Sequence, residues 1–357
     1  MNNTLHLYNR DRVQVAAHRG VAGVNIPCNT IPAFDIALHG GAAILEMDLF
    51  KSLDGEIFIF HTGKEPFQLD RHIDLTRMTA EEIRKLRLIN VDFNETEHGL
   101  NTFDEVLEHM KNRCILNLDR CGAFIPDVIK QVERHGMKEQ ILLKNAPTKE
   151  VLKTVEEVAP DYMFMPIYME NDTASEMIES MNINYMGAEL VFSTENAPVI
   201  QPEYIEAMHK KGRTLWGNAV LYNYKVPLSA GHTDDVSMMK DPALGWGWLV
   251  EHGFDIIQSD WTYQCCQYLK DSGVQLKYPV RALLGANEET NMHDVDYYAE
   301  HYPMPAFCFT PDAEFPVCNG EKGGFNGEIV SPKLDGIITA FEGGVAHNAV
   351  PDRASCT

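Results

Sequence analysis

Between residues 14 and 260, nine short apolar runs alternate with longer amphipathic stretches; they fall at 14–18, 43–49, 57–61, 114–119, 140–144, 162–168, 184–192, 213–220 and 255–260. Runs this short predict strands. Strands separated by helical stretches pair in parallel through crossover connections, which restricts the chain to a parallel α/β protein. Nine runs are one more than a (β/α)8 barrel requires. The Ser52-Leu53-Asp54-Gly55 link between the second and third runs is too short for a crossover helix, so those two form a hairpin or an irregular pair. Thr79 with Glu82, and Thr102 with Glu105, carry the spacing of capping boxes and predict helices over 79–86 and 102–110.

At 357 residues the chain exceeds one average domain, and its texture changes after about residue 270. Nine glycines between Gly273 and Gly344 and seven prolines between Pro279 and Pro351 crowd a stretch in which helical periodicity fades. The expected organisation is a barrel over 1–272 and a second, smaller segment over 273–357. The formal net charge of −22 argues against nucleic acid and anionic membrane surfaces, both of which need a basic face. A phosphate-bearing ligand would need a local cation. Eight cysteines at irregular spacing form neither a disulfide framework nor a C-x-x-C pair, and no run approaches 20 apolar residues. The opening residues MNNTLHLYNRDRVQ hold no signal-peptide core, so a cytoplasmic, soluble protein is expected.

Chemistry gathers where the runs end. The first closes on His18-Arg19-Gly20, the second carries Glu46 and Asp48, the third closes on His61, the fourth on Asp119 and the fifth on Lys144. Strand ends are where a parallel barrel builds its site. Glu46 and Asp48, two apart, put both carboxylates on one face, where they repel unless a cation lies between them. Asp119 from another strand supplies a third oxygen, and an all-oxygen set favours Mg²⁺ or Ca²⁺ over zinc. Two imidazoles, His18 and His61, suit paired proton transfer near neutral pH, and Arg19 can fork onto a phosphate.

These segments resemble the glycerophosphodiester phosphodiesterase family over about residues 13–261. The matching text is AHRG, PCNT, LEMDLFKSLDG, IFIFHTG, NTFDEVLEHM, LNLDRC, RTLWGNAV and GFDIIQSDW. The resemblance implies a TIM-type (β/α)8 barrel that hydrolyses glycerophosphodiesters to glycerol phosphate and an alcohol. It also implies one divalent cation on Glu46, Asp48 and Asp119, acid–base catalysis by His18 and His61, and a small-molecule substrate of the glycerophosphocholine type held by Arg19. The chain departs from the family pattern near the site: Cys28 stands for a Glu, Thr62 for an Asp, Asp119 for a Glu and Cys121 for a Lys. Lys144 is the expected replacement for that lost charge. The departures keep open phospholipase-like or sugar-linked cleavage on the same barrel, and a silent phosphate-binding role.

The C-terminal segment, about 280–357, resembles the dinuclear zinc dipeptidases of the aminoacylase and carnosinase kind, through LLGANEETNMHDVDYYAEHYPMPAFCFTPDAEFPVCNGEKG and EGGVAHNAVPDRA. By position Glu288, Glu289 and Asp312 match that family's general base and ligands, yet no upstream His-x-Asp strand or final His ligand accompanies them. A truncated α/β peptidase-like extension without catalysis is expected, since a catalytic zinc needs at least three ligands. His293, His301 and His347 are expected to be scattered surface residues. Such a partial domain exposes apolar surface, which predicts a homo-oligomer.

Overall fold

The computed structural model describes residues 12–272, 293–303, 341–343 and 354–356. The chain divides into two units, Met1–Val274 and Gln275–Thr357. In the first, the strands are β1 (Gln14–His18), β2 (Ile44–Lys51), β3 (Ile57–Ile59), β4 (Ile115–Asp119), β5 (Ile141–Asn145), β6 (Met163–Met169), β7 (Gly187–Val191), β8 (Thr214–Asn218), β9 (Leu221–Tyr222), β10 (Val226–Pro227) and β11 (Ile256–Ser259). Eight of them run parallel in the order β1-β11-β8-β7-β6-β5-β4-β2, and the pairing of β1 with β2 closes the ring. The fold is a TIM-type barrel. β3, the third run, is the one in excess of eight: it folds back antiparallel on β2, with Leu49 opposite Ile59 and Lys51 opposite Ile57.

Strands covered on both faces read as unbroken apolar runs, which is why β2 and β5 are buried almost end to end. The inner face closes below the site. Ala16, Ile44, Ile115, Leu142, Met165, Met186, Trp216 and Ile256 form one cluster, drawn from the barrel strands or their flanks around the ring. Outside, amphipathic helices seal the barrel; in Ile125–His135 the buried residues Ile125, Val128, Ile129 and Val132 follow the i, i+3, i+4, i+7 spacing. A third apolar cluster, including Phe50, Phe58, Phe60, Leu75 and Ile83, packs around the β2–β3 hairpin and the segment after it.

Both capping boxes form, with Thr79 and Thr102 each bonded reciprocally to the Glu three residues on. The second starts the helix Phe103–Met110, as expected. The first starts a helix of one turn, Ala80–Ile83, rather than one reaching 86. Beyond it Lys85 and Leu86 donate to the carbonyls of Glu82 and Ile83, so the chain tightens into i→i+3 turns. The run expected over 213–220 ends at Asn218 and gives way to the small β9–β10 hairpin. In the second unit the helix His293–His301 and the antiparallel pair Phe341–Gly343 with Ala354–Cys356 are described. No described helix is long and apolar enough to cross a membrane.

Gly187 marks the tightest strand contact. A Cβ there would meet the Thr214 carbonyl oxygen at 1.8 Å, so the approach of β7 to β8 depends on its missing side chain. Gly187→Ala is expected to lower stability by about 3 kcal/mol, the upper range for overpacking. A urea-unfolding midpoint equal to that of the wild type would refute this account of the β7–β8 pairing.

Candidate active site

Strand periodicity builds the site directly above the apolar layer. Two residues beyond Ala16, Ile44, Ile115, Leu142, Trp216 and Ile256, on the same inward faces, stand His18, Glu46, Asn117, Lys144, Asn218 and Gln258. A further step brings Asp48 and Asp119, which are register partners on β2 and β4. Carboxylate oxygens of Glu46, Asp48 and Asp119 lie within 4.8 Å of one another. Glu46 and Asp48 are buried. Burial pushes the Glu46 carboxyl up to about 7, with Asp48 adding to it, and burial likewise raises Asp119. Three acids lie here against a single paired cation, Arg19 on Asp48. Their oxygen donors and spacing fit a hard divalent cation.

The surrounding polar groups hold the acids in place. Asn29 Nδ2 donates to Asp48 Oδ2 at 2.9 Å, while the Arg120 amide donates to Asp119 Oδ1 at 2.7 Å. Arg19 ion-pairs with Asp48 through Nε at 2.8 Å, and its amide donates to Glu46 Oε2 at 3.1 Å. That geometry needs Arg19 in the left-handed region, φ 58°, followed by Gly20 at φ 76°. A Cβ at Gly20 would press on the Ala33 backbone at 2.7 Å, which explains the glycine after His-Arg.

The two histidines sit in opposite environments. His18 Nδ1 donates to Asp260 Oδ1 at 2.8 Å; burial pulls its pKa down, but the bond to Asp260 and the charges of Asp260 and Glu46 outweigh burial and leave it raised. His61 Nδ1 bonds the Thr62 carbonyl at 3.0 Å, and Arg120 Nη1 lies 3.4 Å from its Nε2. Burial, aided by Arg19 and Arg120, pushes His61 down to about 4. The two environments push the imidazoles apart, His18 upward and His61 downward.

Lys144 lies fully within the barrel bore. Its Nζ pairs with Glu189 at 2.7 Å, donates to Gln258 Oε1 at 3.3 Å from the far side of the ring, and sits 4.4 Å above the Trp216 ring. Burial opposes its charge, yet Glu189, Asp119 and Glu46 keep it protonated. Cys28 and Cys121 are neutral: burial pushes their thiols up to about 11 and about 12. The structure thus gathers His18, Arg19, Glu46, Asp48, His61, Asp119 and Lys144 at one end of the barrel. His293 and His301 lie on the described helix of the second unit, whereas Glu288, Glu289, Asp312 and His347 fall outside the described residues.

Several participants escaped sequence reasoning. Asp260 closes the run 255–260 and could have been found by the same strand-end rule that found His18. Its backbone is itself anchored by Asp234, which accepts from the Asp260 amide, Ser259 Oγ and Trp246 Nε1, each at 2.7 Å. Glu189 lay unremarked inside an apolar run, although a lone acid there signals an inward partner. Arg120 carried no signal beyond its place next to Asp119.

Comparison with known proteins agrees with this division of the chain. A glycerophosphoryl diester phosphodiesterase from Parabacteroides distasonis is similar over 78% of this chain and 92% of its own, with TM-score 0.61 and 20% identity. An Oleispira antarctica phosphodiesterase, solved with the product sn-glycerol-3-phosphate, is similar over 74% of this chain and 99% of its own, with TM-score 0.55 and 17% identity. These likenesses show the fold. A family model described as a domain of unknown function matches residues 162–269. The C-terminal part is similar to a Beta-Ala-Xaa dipeptidase from Lactobacillus delbrueckii, 40% identical over 93 residues, or 25% of this chain and 20% of that protein. The chain spans about a fifth of the length of the curated relatives it matches. Both resemblances drawn from the sequence motifs thus recur here, one in each part of the chain.

Glu46 offers a direct check on the acid cluster. Its folded pKa, raised from 4.5 to about 7, means that the metal-free fold binds a proton the unfolded chain releases. Its contribution to stability is present below 4.5 and is lost as pH rises to about 7. A bound cation should remove that loss and raise Tm at pH 7, and Glu46→Gln should abolish both the metal response and this part of the pH slope. Identical Tm shifts with Mg²⁺ or Ca²⁺ in wild type and variant would place the ion elsewhere.

Proposed function

We propose that the barrel is a metal-dependent phosphodiesterase that cleaves glycerophosphodiesters into glycerol phosphate and an alcohol. The observation that carries this reading is the convergence of Glu46, Asp48 and Asp119 within 4.8 Å of one another on a rim that also holds His18 and His61. Support comes from the Oleispira phosphodiesterase, similar in fold and solved with sn-glycerol-3-phosphate. Glu46, Asp48 and Asp119 would hold one Mg²⁺ or Ca²⁺, which when bound neutralises charge on the phosphoryl oxygens.

The rest falls to the chain's own side chains. His61, neutral with its Nδ1 proton given to the Thr62 carbonyl, offers Nε2 as the base that takes the proton of the attacking hydroxyl. His18, kept protonated by Asp260, donates a proton to the leaving alcohol oxygen. Environments that push two similar groups apart in pKa assign acid and base in this way. Arg19 orients Asp48 and adds positive charge, and Lys144 offsets the acids from beneath. The attacking hydroxyl belongs to water or to the glycerol itself.

The segment beyond 272 is assigned no catalytic part, because its likeness covers only a fifth of the dipeptidases' length. The substrate is a small diester rather than nucleic acid, and the protein is proposed to act in the cytoplasm, with the C-terminal unit a candidate contact for self-association.

The test is release of glycerol phosphate from glycerophosphocholine and related diesters, with Mg²⁺, with Ca²⁺ and with chelator. His18→Ala or His61→Ala should each slow turnover roughly 10²–10⁴-fold, and Glu46→Ala should abolish the metal-dependent rate. Activity should rise through about pH 4 as His61 loses its proton and fall above 6.5 where His18 loses its own. Metal-loaded protein that releases nothing from any diester would overturn the proposal.

A further inference from the structure

Cations at the mouth of the barrel differ in whether their charge is already spent. Arg19 pairs with Asp48 and Lys144 pairs with Glu189, while the position where the family pattern has a lysine is the neutral, buried Cys121. Arg120 is different. Among the described residues its guanidinium meets no carboxylate, in a chain of net charge −22. Its contacts are Thr62 Oγ1 at 3.0 Å, the Thr62 carbonyl at 3.5 Å and His61 Nε2 at 3.4 Å.

Two features show that this placement is built. Arg120 holds a left-handed backbone, φ 61°, which costs a non-glycine residue about 1 kcal/mol or more and turns its side chain toward β3 directly after Asp119. Thr62 then steadies the fork. A hydroxyl and a carbonyl orient a guanidinium without cancelling its charge, as the aspartate of the family pattern would at position 62. The 3.4 Å approach to His61 Nε2 is long for a hydrogen bond and is cheaply given up. An exposed, oriented and uncompensated guanidinium between a neutral imidazole and a metal-binding carboxylate is suited to an anionic oxygen.

We propose that Arg120 grips a non-bridging phosphoryl oxygen of the substrate beside His61, and so supplies the cation that position 121 lacks. This rests on the phosphodiesterase reading. When the guanidinium turns to the phosphoryl group it leaves His61 Nε2, so that binding of the anion frees the base for the attacking hydroxyl. Arg120 is then a determinant of substrate affinity and not a proton carrier.

The experiment pairs turnover of bis(p-nitrophenyl) phosphate with calorimetric binding of inorganic phosphate, both with Mg²⁺, for wild type, Arg120→Gln and Arg120→Lys. Arg120→Gln should raise KM and weaken phosphate binding by about 10–100-fold, the usual worth of a charge-assisted bond, with kcat changed far less. Arg120→Lys, which keeps the charge and loses the fork, should fall between, and it serves if the glutamine variant does not fold. An active wild type whose variants keep KM and phosphate affinity would overturn the role of Arg120 and leave the phosphodiesterase reading standing. A wild type inert on diesters that binds phosphate through Arg120 would do the reverse. Wild type that neither turns over diester nor binds phosphate would remove both.

Discussion

Closing eight parallel strands into a ring creates an interior that side chains must fill in layers, because every second residue of every strand points inward. In this barrel the layer beneath the site is apolar, with Trp216 the largest member. Water is excluded from below. The next inward positions lie toward the C-terminal ends of the strands, where the ring opens, and there polar and charged side chains can be carried on the same strands without disrupting the core. The depth of each residue, and so its chemistry, follows from its place in this two-residue alternation.

Burying so much charge is tolerated only because it is arranged in partnerships. Lys144 and Glu189 form a pair deep in the bore, with Asn218 donating to Glu189 and Trp216 donating to Gln258, so the polar layer has its own bonding network. Above it the balance shifts. Glu46, Asp48 and Asp119 outnumber the cations that touch them; burial first, and the neighbouring Asp48 after it, raise the pKa of Glu46 and Asp119, and an added cation would offset both effects. The same field separates the histidines. His18 borrows the charge of Asp260, whereas burial, with Arg19 and Arg120 nearby, makes His61 lose its proton easily.

The two solved phosphodiesterases above share this architecture at 20% identity or less. Cys28 and Cys121 bring neutral thiols to places where the family pattern has charged side chains. Thr62 and Arg120 are neighbours in space although 58 residues apart in the chain, and the one accommodates the other.

The sequence by itself determined the strands and much of the chemistry. All nine apolar runs became strands, the short Ser52–Gly55 link did force a hairpin, and strand-end placement was enough to bring His18, Glu46, Asp48, His61 and Asp119 together. Those features are local: apolar periodicity, turn length and parity along one strand are written in consecutive residues. What only the tertiary structure decided was which residues complete each other across the ring. His18 finds Asp260 across 242 positions, and Lys144 meets Glu189 and Gln258 on strands distant in sequence. Arg120 likewise meets Thr62 across 58 positions. Charge state, too, belongs to this level, because burial and neighbouring charges arise from the closed barrel and not from any one segment.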